Sequence, residues 1–359
     1  MIKTRSQALD VFRGLTVALM ILVNNPGSWS FVYPPFLHAP WHGLTPTDLV
    51  FPFFLFAVGN ALSLVELDLK KIAKRTMIIF FIGLILNWLP FYTWVGDELM
   101  FKSFSNLRIM GVLQRIALAY GCAAVICFYF KRRTLWISLS ILALYWFLCE
   151  SLGSGDVYSL EGWFGTSFDR AFFGLTHLYQ GEGVAFDPEG IMSTIPSISQ
   201  VLLGFWVGQK LKEFPVRRVL QYFCGMGFIT IALALIFSQF HPINKKIWTG
   251  SYVLVTTGMA MMILGILVQF LDVNKRGHRL SGFFEAFGKN PLFIFVLSGF
   301  IPKMATLFRP NPLKWFYENV CALIPGVPEN GSLFYALLLV VIYGGLAMWL
   351  DSRKIYIRV

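Results

Sequence analysis

The apolar positions of this chain come in long runs separated by short polar segments. They show neither the period-two alternation of half-buried strands nor the single stripe of a soluble amphipathic helix. Ten runs approach the ~20 residues that a helix needs to cross a bilayer. They are Leu9–Asn25, Leu49–Glu66, Ile72–Leu89, Leu107–Phe130, Thr134–Glu150, Ile191–Gln209, Val219–Gln239, Ser251–Leu271, Pro291–Phe308 and Ser332–Leu350. The pattern predicts an all-α polytopic membrane protein of about ten transmembrane helices, with residues 1–359 forming a single domain.

Basic residues orient these spans. Lys3, Arg5 and Arg13 precede or open the first, and Lys70, Lys71, Lys74 and Arg75 follow the second. Lys131, Arg132 and Arg133 follow the fourth; Lys210, Lys212, Arg217 and Arg218 the sixth; Lys275, Arg276 and Arg279 the eighth; Arg353, Lys354 and Arg358 the tenth. The alternation places both termini in the cytoplasm, and only Lys245 and Lys246 run against it. Three outward segments result, at residues 26–47, 152–190 and 311–331. The second is long, Gly-rich and aromatic, which favours a folded, functional loop over a disordered one.

Composition supports this class. Hydrophobic residues make up 56% and charged residues 14%, against about a quarter charged in soluble domains. The net charge of +11 resides in the short cytoplasmic loops, so no nucleic-acid partner is expected. The five cysteines imply no disulfide framework, and the first apolar run lacks a small-residue cleavage site and is expected to be retained.

The stretch from His38 to Asn60, HAPWHGLTPTDLVFPFFLFAVGN, joins a charge-poor aromatic loop to an apolar helix. His38 can exchange a proton near neutrality, and Asp48 at the helix start can orient it, although a helix-capping acid accounts for Asp48 equally well. No metal is expected, because neither the histidine spacing nor nearby thiols form a zinc set. Asp10 and Arg13 share a helical face; they form an interfacial ion pair or a phosphate site. Asn24 and Asn25 either cap the first span or present amides to a substrate. Arg115 lies seven residues beyond Arg108, roughly 10 Å deeper at 1.5 Å per residue, with Gln114 beside it. An intramembrane Arg is a site candidate, or else a structural partner of Asp10 or Asp48. Asp187 and Glu189 either cap the sixth span or accept hydrogen bonds from a polyhydroxylated or amino substrate.

Four blocks together resemble the transmembrane acyltransferase family of heparan-α-glucosaminide N-acetyltransferase and its bacterial relatives. They are RSQALDVFRG (Arg5–Gly14), His38–Asn60, RIMGVLQRIALAY (Arg108–Tyr120) and FDPEGIMSTIPSISQVLLG (Phe186–Gly204). The resemblance implies transfer of an acetyl group from cytoplasmic acetyl-CoA to the amino group of a glucosamine on the far side of the membrane. Its proposed active-site histidine matches His38 in the context His38-Ala39-Pro40-Trp41, and its asparagine at the end of span 1 matches Asn24. The animal motif carries Asn after the Trp where this chain has His42, which marks the place where the acceptor is expected to differ.

On this reading Arg5 and Arg13 hold phosphates, and Gln114 and Arg115 line a polar seam for the pantetheine arm. His38, set by Asp48 or Asn24, is the general base or a transient acetyl carrier. Asn24 or Asn25 stabilises the oxyanion, and Asn25, Trp41, His42, Asp187 and Glu189 are expected to meet the acceptor. The expected location is a bacterial inner membrane. The expected partners are an amino sugar or glycan, the lipid bilayer and, as an option, a second copy in a homodimer. Two other readings stay open. One is O-acetylation of a surface or periplasmic polysaccharide with the same His38. The other is an amino-sugar permease, which paired broken helices and an internal repeat would favour; the sequence has neither.

Overall fold

The computed structural model describes residues 6–277 and 279–357. It contains thirteen α-helices among these residues: α1 Gln7–Asn24, α2 Val50–Ser63, α3 Leu69–Trp88, α4 Val112–Phe130, α5 Thr134–Leu152, α6 Phe164–Phe173, α7 Ile191–Glu213, α8 Val219–Phe237, α9 Gly250–Leu267, α10 Arg279–Lys289, α11 Pro291–Ala305, α12 Pro312–Asn319 and α13 Pro328–Ser352. Each of the ten expected spans coincides with one of these helices. Eight helical segments are long and apolar enough to cross a membrane, and the pair α10–α11, bent by 82°, makes a ninth. The helix that falls short is α3, whose first turns carry Lys70, Lys71, Lys74 and Arg75. Helix α9 continues as a π-helical turn, Val268–Val273. The protein is an integral membrane protein.

Local chemistry sets the helix boundaries. Ser6 caps α1 by accepting from the Leu9 amide, and Asp68 caps α3 by accepting from the Lys71 amide. Helix α2 grows from a 3-10 turn, Pro46–Leu49, opened by a reciprocal cap between Thr45 and Asp48. Pro291 starts α11 where its missing amide proton costs nothing, and the chain breaks at Asn290.

Helix α7 occupies the centre, packed against α2, α4, α5 and α9, while α8 pairs with α9 and α1 with α10. The α2–α7 contact depends on two glycines: a Cβ on Gly204 would lie 2.2 Å from the Phe56 carbonyl oxygen, and one on Gly59 2.0 Å from that of Val201. Backbones this close draw their stabilisation from van der Waals contact, which replaces the hydrophobic drive that lipid does not supply. At the periphery, α5 and α8 leave Trp136 and Phe228 more than two-thirds exposed, as lipid-facing positions are.

Two features between the spans do not follow from the hydrophobic pattern. A β-hairpin pairs β1 Tyr92–Val95 with β2 Glu98–Phe101 through a turn with Gly96 at φ 60°. The segment between α8 and α9, residues 238–249, folds inward against the first outward loop, where the Gly43 amide donates to the Ile243 carbonyl at 2.8 Å. The second outward loop carries α6 and a small apolar core of Tyr158, Trp163, Phe164 and Phe186 against Tyr145 and Ile247.

Candidate active site

His38 and Asp48 form the centre. His38 Nδ1 lies 2.7 Å from Asp48 Oδ1, and the carboxylate can only accept, so this nitrogen carries the proton. The other oxygen of Asp48 accepts from the Ala39 amide at 3.1 Å, the Thr45 amide at 3.0 Å and the Thr45 hydroxyl at 2.9 Å. The Tyr252 hydroxyl of α9 donates to the Asp48 carbonyl. Asp48 is 1% exposed whereas the His38 side chain is 45% exposed, so a buried anion holds an accessible imidazole in one tautomer. Nε2 is left as the basic nitrogen.

Lys245 completes this centre. Its Nζ lies 2.8 Å from His38 Nδ1, 3.1 Å from Nε2 and 3.5 Å from Asp48 Oδ1. Contact with both ring nitrogens places the ammonium against the imidazole ring and off the line of the Nε2 lone pair. Burial lowers the pKa of Lys245, while Asp48 and Glu189 oppose that shift. The loop that carries it is braced by Asn244, whose Oδ1 accepts from the Ile247 amide at 3.1 Å and whose Nδ2 donates to His42 Nδ1 at 3.3 Å. Burial also lowers the pKa of His42, against the opposing field of Asp156. Next along the chain, Lys246 pairs with Glu182 of the second outward loop. Trp248 follows at φ 54°, an unusual left-handed conformation for a bulky residue, with its ring fully buried.

A second cluster adjoins the first. Arg108 grips Asp187 through Nε at 2.8 Å and Nη2 at 2.7 Å, and reaches Glu189 at 2.6 Å. Burial alone would lower the Arg108 pKa, but its two carboxylate partners raise it instead. Glu189 is held below the usual carboxylate range: burial opposes ionisation, and Arg108, Arg115 and Lys245 outweigh it. Arg115, 1% exposed, donates to the Pro188 carbonyl and the Ser193 hydroxyl, with its guanidinium carbon 4.8 Å from the Trp248 ring centroid. Three buried polar atoms here have no partner among the described residues: Arg115 Nε, Gln114 Oε1 and Trp248 Nε1. Buried polar groups are normally satisfied, so such orphans suit a ligand's amide or acyl groups.

A family model described as heparan-alpha-glucosaminide N-acetyltransferase, catalytic, matches residues 5–236. The chain is a member of this family. Two curated relatives carry the same enzyme name. The Homo sapiens protein is 31% identical, over 75% of this chain and 49% of its own length. The Mus musculus protein is 32% identical, over 75% of this chain and 50% of its own length. The chain therefore spans about half the length of the curated relatives it matches.

The matched segment of this heparan-α-glucosaminide N-acetyltransferase family member includes His38, Asp48, Arg108, Arg115, Asp187 and Glu189, whereas Lys245 lies beyond it. The remaining candidates are dispersed. Asn24 is exposed at the end of α1, and among the described residues no hydrogen bond joins it to His38; Asn25 turns back to the Ile21 carbonyl at 3.0 Å. Trp41 donates to the Tyr158 carbonyl at 2.7 Å and packs on Phe186. Arg13 pairs with Asp10 at 2.6 Å and donates to the Gly288 carbonyl at 2.7 Å, so it clamps α1 to α10. Arg5 lies outside the described residues. Asp187 and Glu189 are committed to Arg108, and Gln114 donates to the Ile109 carbonyl at 2.9 Å. The residue missed from the sequence is Lys245, and its signal was present: it broke the charge asymmetry of the loops.

Proposed function

We propose that the protein is a membrane acetyltransferase that moves an acetyl group from cytoplasmic acetyl-CoA to the amino group of a glucosamine-type sugar on the outer side, in a bacterial inner membrane. The observation that carries this reading is the 2.7 Å contact between His38 Nδ1 and a buried, four-times-bonded Asp48. It leaves Nε2 as a general base and supplies a fixed anion for the imidazolium that forms. The Lys245 amine lies against the same ring, 2.8 Å from Nδ1 and 3.1 Å from Nε2. Family membership supports the same reaction class.

Acetyl-CoA supplies the thioester whose acyl carbon the acceptor nitrogen attacks. His38 takes the proton that the nitrogen loses and returns it to the departing thiolate, so amine and thioester become amide and thiol. Lys245 and the orphaned donors Arg115 Nε and Trp248 Nε1 are the groups available to an oxyanion or to amides of the donor's arm. Arg13 is already engaged by Asp10 and Gly288. The charged head of the donor is therefore assigned to the exposed basic start of α3, where Lys70, Lys71, Lys74 and Arg75 cluster on the cytoplasmic side.

The test reconstitutes the full chain in vesicles with radiolabelled acetyl-CoA and glucosamine on opposite sides, alongside His38→Ala. N-acetylglucosamine formed by the wild type, and reduced about 10²–10⁴-fold in the variant, is the expected result. Transport of unmodified sugar without acetylation overturns the enzyme reading. Undiminished acetylation by His38→Ala removes the histidine from it.

A further inference from the structure

We propose that the cavity beneath the β1–β2 hairpin binds the phosphate of an anionic phospholipid, with Lys102 in its wall as counter-charge and Lys303, held on the Leu86 carbonyl beside the lining residue Asn87, as a second cation behind it. The cavity measures about 470 Å³ and is lined by Asn87, Trp88, Phe101, Lys102, Asn106 and Arg108, among others. Its wall meets the cluster beside the His38 centre at Arg108, which is already paired with Asp187 and Glu189, and the inference does not depend on the acetyl-transfer reading.

The charge count points to an anion. In the outward segments Arg108 pairs with Asp187 and Glu189, Arg170 with Glu161, Lys245 with Asp48, and Lys246 with Glu182. Arg309 pairs with Asp97 and Lys314 with Glu318. Among the described residues Lys102 and Lys303 make no ion pair. The Lys303 ammonium donates to the Leu86 carbonyl, and both Lys102 and Arg108 lie within electrostatic range of it. The cations repel one another at the edge of the membrane, where an uncompensated charge is costly. Burial lowers the Lys102 pKa, and no carboxylate counters the shift. A bound phosphate diester would remove both penalties, as basic pockets between transmembrane helices do for lipid headgroups.

The hairpin identifies the source of the phosphate. A two-stranded hairpin is marginal alone, and this one has an apolar face of Tyr92, Trp94, Leu99 and Phe101 and a mixed face of Thr93, Val95, Glu98 and Met100. Tyr92, Val95, Leu99, Met100 and Phe101 are 43–58% exposed. Water would penalise that surface, whereas a headgroup–acyl boundary covers it, and Trp88 and Trp94 are the ring types that anchor there. Exposed apolar strands beside an unpaired cationic cavity fit one amphipathic anion better than a free soluble one.

The experiment follows thermal unfolding of the full chain in neutral detergent with added phosphatidylglycerol or phosphatidylcholine of the same acyl chains. It includes Lys102→Met and Lys303→Met, with inorganic phosphate and glucuronate as chain-free anions. A hundredfold excess of phosphatidylglycerol over its Kd should raise Tm by about 3–4 °C. Phosphatidylcholine should give less than half of that, and each variant should lose most of the difference while keeping the phosphatidylcholine increment. Equal stabilisation by the two lipids, or a full phosphatidylglycerol increment in Lys102→Met, overturns the proposal. Inorganic phosphate or glucuronate matching phosphatidylglycerol also overturns it and assigns the cavity to a soluble anion. If Lys303→Met fails to melt cooperatively, Lys102→Met decides alone.

Discussion

Asp48→Asn tests the His38 centre more sharply than removal of the histidine, because the substitution changes one atom and its consequence follows from the hydrogen bonds. Asp48 Oδ2 accepts from two backbone amides and a hydroxyl, while Oδ1 accepts from His38. An asparagine amide group cannot face the Ala39 and Thr45 amides, since donors would meet donors. Its carbonyl oxygen must take that side, which turns its NH2 toward His38 Nδ1. The imidazole then accepts at Nδ1 and carries its proton on Nε2, so the basic lone pair points into the protein. General-base catalysis at Nε2 should disappear, a loss of about 10²–10⁴ in kcat. Exchanging the charged hydrogen bond for a neutral one costs about 1–1.5 kcal/mol of stability. The assay is kcat and KM for acetyl transfer to glucosamine, with a thermal melt of the same preparation. A kcat within about threefold of wild type in Asp48→Asn, with His38→Ala inactive, would refute the tautomer argument.

Other outcomes follow from neighbouring contacts. Lys245→Met removes a cation that lies against the His38 ring and is available to the oxyanion, and should lower kcat for acetyl transfer about 10²-fold; a wild-type kcat refutes its place in the centre. Arg108→Ala strands the buried Asp187 and Glu189 without their cation and should cost about 3–5 kcal/mol, partly recovered at acid pH where they protonate, as read from melts. Asp169 of α6, whose pKa burial pushes up to about 7, binds its proton more tightly folded than unfolded. Its contribution is present in full at low pH and is lost as pH rises through 7, by roughly 2–3 kcal/mol between pH 5 and 8. Asp169→Asn should flatten that slope, and an unchanged slope removes Asp169 as its source. Gly204→Leu drives a side chain into the Phe56 carbonyl and should prevent α2–α7 packing, so a wild-type melt would refute the close approach.

The helices were legible because crossing hydrocarbon is a one-dimensional constraint: length and apolarity alone identify α1, α5 or α13. The hairpin escaped because eight residues with Trp94, Leu99 and Phe101 carry too few apolar positions to register as a span and lie between two that do. Side-chain commitment was equally out of reach. That Arg115 would choose the Pro188 carbonyl and Ser193 over Asp10 or Asp48 depends on how α4 meets the start of α7. No spacing within either segment encodes that meeting.

Lys245 shows what a violated rule is worth. Positive charge on an outward loop opposes insertion, and burying it beside another ionisable ring costs further energy. The fold surrounds it with compensation from three places: Asp48 ahead of α2, Glu189 ahead of α7, and an Asn244 turn that holds the loop inward. A lysine needed only for solubility would sit on the surface with the other outward polar groups. This one is held against the imidazole, 2.8 Å from His38 Nδ1 and 3.1 Å from Nε2. The neighbours Lys245 and Lys246 therefore differ in kind: Lys246 closes an ion pair with Glu182 at the edge of the second outward loop, and Lys245 packs against His38 and Asp48.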